Sequence, residues 1–253
     1  MFLFLRLLLA HFVADFPLQT ARVYLLKAGG GLGKWAHTLI IFATSVLFVY
    51  PYWACSDTWI YLLGSTLVHH LSDWIKVELN RKGSPRYFLL RYIADQIVHV
   101  ATAAFVFLMP LGQLRLAWPS EGRCEFWRLW ADWYDSDFWM LYGSLLIVAT
   151  YFATYFIESF KKSYAPERFQ PVLPEAYKYY GILERACLFH LAFVGGLFWA
   201  LTPLAILPRF AMARLWPAHF AKLRCASILE ISLSVILGIL PGIALRLLQS
   251  KAF

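Results

Sequence analysis

Long apolar runs restrict the fold of this chain more than any other feature of its sequence. A helix that crosses a membrane needs about 20 mainly apolar residues, and the chain supplies six or seven such runs. The runs occupy residues 1–18, 35–54, 58–78, 88–110, 138–157, 181–207 and 228–248. They are continuous and lack the alternation that marks the strands of a transmembrane barrel. We therefore expect an all-α fold, a polytopic transmembrane helical bundle with six or seven membrane helices.

Composition places the chain among integral membrane proteins. Of its residues, 60% are hydrophobic and only 15% are charged, which lies outside the range of ordinary soluble domains. In a soluble chain the net charge of +8 would suggest nucleic acid binding. Here the basic residues lie in the connections, where membrane orientation and anionic headgroups explain them. We expect the lipid bilayer, and no nucleic acid, as a partner.

The charges of the connections predict a topology. Basic residues dominate the first connection (Arg22, Lys27 and Lys34) and the third (Arg81, Lys82, Arg86 and Arg91), which is typical of cytoplasmic segments. Residues 111–137 carry five acids, three basic residues and four tryptophans, which favours an extracytoplasmic loop. The N-terminus then faces outside, and residues 1–253 form a single membrane domain. Its parts are a four-helix half (1–110), the loop (111–137) and C-terminal helices (138–253).

One apolar run conflicts with this topology. If residues 181–207 cross the membrane once, the basic segment 209–224 lies outside, contrary to the positive-inside rule. Either the run folds back at Gly195–Gly196 or Pro203, or the rule fails here. The sequence leaves both alternatives open.

Three pairs of histidine and aspartate recur at a spacing of four residues. They are His11 with Asp15, His69 with Asp73, and Asp95 with His99, and a further histidine, His37, opens the second run. Residues four apart lie on one face of a helix. Under the predicted topology all seven side chains lie at one level, near the cytoplasmic ends of their helices.

Such residues are costly in a membrane, so they need partners. An aspartate at the centre of a membrane helix costs about 2.5–3.5 kcal/mol. A divalent metal (zinc, manganese, iron or magnesium) would satisfy imidazoles and carboxylates together. Seven ligands exceed one zinc site, so a two-metal centre is possible. The alternative is a network of hydrogen bonds and ion pairs that only positions the helices. The predicted metal ligands are His11, Asp15, His37, His69, Asp73, Asp95 and His99.

Further polar residues are candidates for catalysis on the same side of the membrane. Asp15 or Asp95 could accept a proton, while Lys76 and Arg185 could hold an anion and Glu184 could join the site. The chain has no Walker loop, GxGxxG or HExxH motif. The predicted catalytic residues are Asp15, Asp95, Lys76, Glu184 and Arg185.

Five short segments together resemble a known family. They are HFVADFPLQ (11–19), KWAHTLI (34–40), HHLSDWIK (69–76), ADQIVHV (94–100) and GILER (181–185). As a set they are similar to bacterial multi-spanning membrane proteins catalogued as domain of unknown function 3307, mainly over residues 5–105. The resemblance implies a helical protein of the bacterial inner membrane and brings no established activity.

The sequence supports three classes of function. The first is a metal-dependent intramembrane hydrolase or transferase that acts on a lipid or lipid-linked substrate at the cytoplasmic face. The second is an ion- or proton-coupled transporter, in which the same residues form a relay. The third is a membrane scaffold with a structural polar layer. The sequence leaves open whether the protein is an enzyme.

Overall fold

The computed structural model describes residues 1–29, 33–113, 125–164, 175–215 and 228–252, and these ranges contain helices and no strand. The all-α expectation is confirmed. The helices are α1 (Phe2–Asp15), α2 (Ala21–Gly29), α3 (Gly33–Phe48), α4 (Ser56–Lys82), α5 (Phe88–Ala104), α6 (Glu125–Asp135), α7 (Asp137–Ile147), α8 (Ala153–Tyr164), α9 (Glu175–Val194), α10 (Thr202–Leu215) and α11 (Ile228–Ala252). Of the basic segment 209–224, residues 216–224 lie outside the described ranges, as do residues 114–124 of the predicted loop.

In the part of the chain that the structure describes, three helical segments are long and apolar enough to cross a membrane. They are Pro85–Leu108, Asp137–Tyr164 and Ile228–Ser250, and two shorter apolar helices cover Gly33–Phe48 and Gly196–Phe210. The 14 residues of α1 extend for about 21 Å at 1.5 Å per residue, less than the roughly 30 Å hydrocarbon core. A count of six or seven crossings therefore stays a prediction.

Two helices occupy stretches that the sequence analysis treated as connections. Pro17 follows the end of α1, and the chain begins the short helix α2 four residues later. Within the predicted loop 111–137 the structure has α6, on which Ala131 and Tyr134 are buried while Leu129 and Trp130 are exposed. The hydroxyl of Tyr134 donates to the carbonyl of Phe48, so α6 packs against the end of α3.

The chain divides into two compact units, which are Met1–Gly83 with Leu90–Ser144, and Ser84–Leu89 with Leu145–Phe253. The first unit has two layers along its helices. An apolar layer joins the start of α1, the end of α3, the start of α4 and the end of α5. The layer comprises Phe2, Leu3, Leu7, Val49, Tyr52, Tyr61, Leu62, Ala103, Val106, Leu111 and Tyr134. The opposite ends of these helices carry the polar residues.

A fully buried arginine, Arg6, lies in the apolar layer on α1. Its guanidinium donates to the carbonyl of Tyr134 at 3.0 Å and pairs with Asp137. Because Tyr134 ends α6 and Asp137 begins α7, Arg6 holds both helix ends against α1. The sequence analysis did not identify this contact.

The second unit contains a helical hairpin. The helix α9 ends at Val194, and Gly195 and Gly196 have φ angles of 70° and 61°, a region that favours glycine. The chain then returns through a 3-10 turn, Gly196–Leu201, and through α10. Arg209 on α10 donates two hydrogen bonds to Glu184 on α9, at 2.8 and 2.7 Å. The run 181–207 therefore folds back at Gly195–Gly196, one of the two alternatives left open by the sequence.

Glycine also permits a close contact between two helices of this unit. A Cβ atom on Gly242 of α11 would lie 2.4 Å from the carbonyl oxygen of Phe189 on α9. Since real Cβ atoms keep a longer distance, only glycine allows the two backbones to approach this closely.

Candidate metal centre

The polar end of the first unit brings the seven predicted metal ligands together. Four helices supply them, in pairs one turn apart on α1, α4 and α5 and singly on α3, and all are buried. We call them the His/Asp cluster: His11, Asp15, His37, His69, Asp73, Asp95 and His99. The helical periodicity that predicted a shared face for each pair is the reason that they meet.

The four imidazole rings of the cluster form a continuous group. The rings of His69 and His99 stack with centroids 4.0 Å apart, and His11 lies 4.9 Å from His99 and 5.4 Å from His69. The ring of His37 lies 5.3 Å from that of His69. The predicted convergence of these four side chains is therefore present in the structure.

Within the described residues, three overlapping groups have ligand atoms that all lie within 4.8 Å of one another. The groups are Asp15, His37, His69 and Asp73; His11, His69 and His99; and Asp15, Asp95 and His99. Because the groups share His69, Asp15 and His99, two ions bound in neighbouring groups would have ligands in common.

The group of Asp15, His37, His69 and Asp73 has four donor–donor distances close to those of a tetrahedral site, and we call it the tetrahedral group. Nε2 of His37 lies 3.1 Å from Oδ1 of Asp15 and 3.3 Å from Oδ2 of Asp73. Nε2 of His69 lies 3.1 Å from the same Asp73 oxygen and 3.2 Å from Nε2 of His37. Ligand atoms bound tetrahedrally at about 2.0 Å are separated by about 3.3 Å. These two nitrogens and two oxygens therefore fit a zinc-like ion.

Several buried nitrogens of the cluster have no hydrogen-bond partner among the residues that the structure describes. They are Nε2 of His11, Nδ1 of His37 and both ring nitrogens of His99. Buried polar atoms are nearly always paired, and leaving one unpaired costs about 1–3 kcal/mol. A small cavity of about 30 Å³ borders His11, His69 and His99, which is room for one water. The donor atoms of His11 and His99 therefore suit a second ion or an ordered water.

Two lysines form ion pairs with two of the three carboxylates of the cluster. Nζ of Lys27 lies 2.5 Å from Oδ2 of Asp73, and Nζ of Lys76 lies 3.0 Å from Oδ1 of Asp73 and 2.5 Å from Oδ2 of Asp95. Ser72 donates to Asp95 at 2.9 Å. The predicted catalytic residues Asp95 and Lys76 are thus in direct contact. Lys27 lies on α2. The sequence analysis had counted it only among the basic residues of the first connection.

Two glutamines orient Asp15 from outside the tetrahedral group. The amide of Gln96 donates to Oδ2 of Asp15 at 2.9 Å, and the amide of Gln19 donates to its backbone carbonyl at 2.7 Å. Gln19 in turn accepts a hydrogen bond from Lys27. Such outer contacts fix the orientation of metal-binding side chains. They leave Oδ1 of Asp15 directed at His37.

His70, the neighbour of His69, lies outside the cluster. Its Nδ1 lies 2.7 Å from the hydroxyl of Thr38, and its ring stacks on Trp35. A rotation of about 100° per residue separates adjacent positions on a helix, which explains why only one of the two histidines joins the group.

Glu184 and Arg185 form a second polar cluster, within the second unit. Glu184 accepts hydrogen bonds from Arg209 and from Ser234, the latter at 2.6 Å. Arg185 donates to the carbonyl of Thr150 at 3.1 Å and to Ser234 at 3.1 Å. None of the groups that could hold a metal within the described residues contains Glu184 or Arg185. Their predicted catalytic role stays a prediction.

Comparison with known proteins gives one match. The model of a family described as protein of unknown function (DUF3307) matches residues 3–120, which confirms the resemblance seen in the sequence. The matched stretch includes α1 to α5 and the whole His/Asp cluster. No curated protein and no solved structure matches the chain.

Proposed function

We propose that the chain is a multi-pass protein of the bacterial inner membrane that binds a divalent metal through its His/Asp cluster. The metal would serve the hydrolysis or transfer of a lipid or lipid-linked substrate at the cytoplasmic face. The observation that carries the proposal is the tetrahedral group, in which four donor–donor distances lie between 3.1 and 3.3 Å.

A hydrogen-bond network alone explains this geometry less well. Nε2 of His37 lies within 3.3 Å of two carboxylate oxygens and of a second imidazole nitrogen. An imidazole nitrogen carries at most one proton, so it can donate to only one of these three atoms. A cation at the centre would interact favourably with all four donors at once. Imidazole and carboxylate ligands suit zinc, manganese or iron, and they favour magnesium less.

The neighbouring side chains supply groups for acid–base chemistry. A bound divalent ion would lower the pKa of a water ligand and polarise a phosphoryl or acyl oxygen. Asp95, which Ser72 and Lys76 contact, would accept the proton. Lys76 reaches both Asp73 and Asp95, and its ammonium would hold a negatively charged substrate group.

The hairpin of the second unit supports the proposed topology. Because Arg209 returns to the level of Glu184, the basic segment that begins at Arg209 would lie on the same side as the connection 158–180. That connection is also basic, with Lys161, Lys162, Arg168 and Lys178. Both would then be cytoplasmic, and the conflict with the positive-inside rule disappears. An extracytoplasmic N-terminus and six or seven crossings remain parts of this proposal.

Metal analysis of the purified full-length protein tests the proposal. We expect about one or two equivalents of a divalent metal in the wild type and a loss of at least half of it in His69→Ala and Asp73→Ala. His70→Ala is the matched control, since His70 adjoins His69 but bonds to Thr38, and it should retain the wild-type content. Negligible metal in the wild type, or equal content in all four proteins, would overturn the proposal.

Proton- or ion-coupled transport is a second candidate. Lys76 contacts Asp95, and Lys27 contacts Asp73, which in turn contacts His37. Titratable groups in contact with one another are what a proton relay requires. An ion flux into proteoliposomes that Asp95→Asn abolishes, in protein that carries no metal, would favour transport over catalysis.

A further inference from the structure

A groove between α4 and α5 connects the surface of the first unit to the His/Asp cluster. Its cavity volume is about 310 Å³, at the lower end of the 300–1,000 Å³ that is typical of ligand sites. Both of its walls belong to the first unit. We propose that the groove is a lateral binding site for a membrane phospholipid with an anionic headgroup. This inference deepens the proposed function, on which its catalytic meaning rests, by naming the class of substrate.

The wall of the groove is apolar and faces outward. Val68, Leu71, Ile75 and Leu79 line it from α4, and Val98 lines it from α5. The α4 residues recur every three or four positions, so they form one face of the helix. All five side chains are exposed in the protein, by 40–50% of their surface. Beside a bilayer such a surface would contact acyl chains.

The same groove ends in charged groups. Lys76, Arg91 and Asp95 line it, together with Ser72. Asp95 already accepts from Lys76 and from Ser72, whereas a guanidinium and an ammonium can each donate several hydrogen bonds. This end therefore combines two cationic side chains with one carboxylate, a composition that complements a phosphate.

The guanidinium of Arg91 lies against the C-terminal end of α4. Its Nη1 donates to the side chain of Asn80 at 3.3 Å, and its Nη2 would lie 2.2 Å from a Cβ atom on Gly83. Glycine at this position thus allows the guanidinium to rest against the end of α4. Exposed Arg81 and Lys82 follow at the same helix end, where basic residues attract anionic lipids.

Asp95 connects the groove to the candidate metal centre. Asp95 lines the groove and also belongs to the group of Asp15, Asp95 and His99 that could hold a metal. A phospholipid with its chain against Leu71 and Val98 would place its phosphate between Lys76 and Arg91, beside Asp95. A membrane lipid fits better than a soluble phosphate, because the wall provides apolar contact that a soluble anion would not use.

Lipid binding to the full-length protein in detergent tests the inference. Native mass spectrometry would compare phosphatidylglycerol with the zwitterionic phosphatidylcholine, and soluble glycerol phosphate would be added as a competitor. We expect phosphatidylglycerol to bind about tenfold more tightly, as a charge-assisted contact allows, and the soluble competitor to have little effect. Equal binding of the two lipids, or efficient competition by glycerol phosphate, would overturn the inference.

Two variants and a matched control locate the site. Val98→Trp fills the groove and should weaken phosphatidylglycerol binding about tenfold, while Arg91→Gln should remove the preference for the anionic lipid. Ile97→Trp is the control, because Ile97 is the next residue of α5, is 62% exposed and does not line the groove. Val98→Trp that binds like Ile97→Trp would overturn the inference, as would an undiminished lipid preference in Arg91→Gln.

Metal analysis of the same samples separates this inference from the proposed function. If the groove variants lose lipid binding but keep their metal, the result supports both the lipid site and the proposed function. A wild type without metal, in which Val98→Trp still weakens binding, overturns the proposed function and leaves the lipid site standing. Bound metal with no effect of either groove variant overturns the lipid site alone.

Discussion

Lys27 shows how much a single buried charge contributes to the first unit. Its ammonium lies 2.5 Å from Asp73, and both side chains are buried. Lys27→Met would leave Asp73 paired with Lys76 and with nearby histidines that are charged only when protonated. Removing one partner of a buried ion pair costs about 3–5 kcal/mol, and we expect the lower part of that range because Lys76 remains.

Unfolding in detergent, followed by tryptophan fluorescence, measures this loss. Lys82→Met is the control, since Lys82 is 74% exposed and should change the free energy of unfolding by less than about 0.5 kcal/mol. The double substitution of Lys27→Met with Asp73→Asn should recover part of the loss, because the buried charge that lost Lys27 as its partner is then removed. Equal effects of Lys27→Met and Lys82→Met would contradict this account.

Single residues of the site could be predicted from the sequence where a local rule governs them. His11 with Asp15, His69 with Asp73, and Asp95 with His99 lie four apart, and helical periodicity alone brings each pair to one face. The partners of Arg6 and Lys27 depend on how separate helices pack. A lysine in a basic connection and an arginine in an apolar run carry no local signal of such partners, so the sequence analysis missed both.

At the scale of elements, the hairpin of the second unit depends on Gly195. Its φ of 70° and ψ of −157° belong to a region that is essentially restricted to glycine, with a cost of about 1–3 kcal/mol for other residues. A Cβ atom there would also lie 1.4 Å from Nη1 of Arg246. We therefore expect Gly195→Ala to lower the free energy of unfolding by about 2 kcal/mol or more.

Thermal unfolding of Gly195→Ala beside Gly64→Ala checks this expectation. Gly64 lies inside α4 with no atom within 4 Å of a Cβ built on it, so alanine there should be neutral or stabilise by up to about 1 kcal/mol. If both variants unfold at the wild-type temperature, Gly195 does not determine the turn.

The helical elements were predictable to different degrees. Apolar runs predicted every long helix, because hydrophobic composition marks a membrane segment directly. The ends were harder to place: Pro17 follows the end of α1, and the sequence could not choose between Gly195 and Pro203 as the reversal. The helix α6 lies in a stretch rich in acids and tryptophan. The charges of this stretch indicated a loop, but its spacing of apolar and polar residues is that of an amphipathic helix.

Considering the whole molecule, we assign the proposed metal chemistry to the first unit. This unit joins an apolar layer at one end of its helices to the His/Asp cluster at the other, and the family match over residues 3–120 covers both layers almost completely. The second unit holds its own buried network of Glu184, Arg185 and Arg209. The sequence predicted the polar layer, but not the separation of the chain into two units, because that depends on contacts between distant segments.

X-ray absorption at the metal edge of the purified native protein tests the central claim most directly. The account predicts four nitrogen or oxygen ligands at about 2.0–2.1 Å, with the outer scattering of imidazole rings, and a weaker imidazole signal in His37→Ala. Metal ligated by sulfur, or a wild-type spectrum without imidazole scattering that His37→Ala leaves unchanged, would contradict a metal centre built from Asp15, His37, His69 and Asp73.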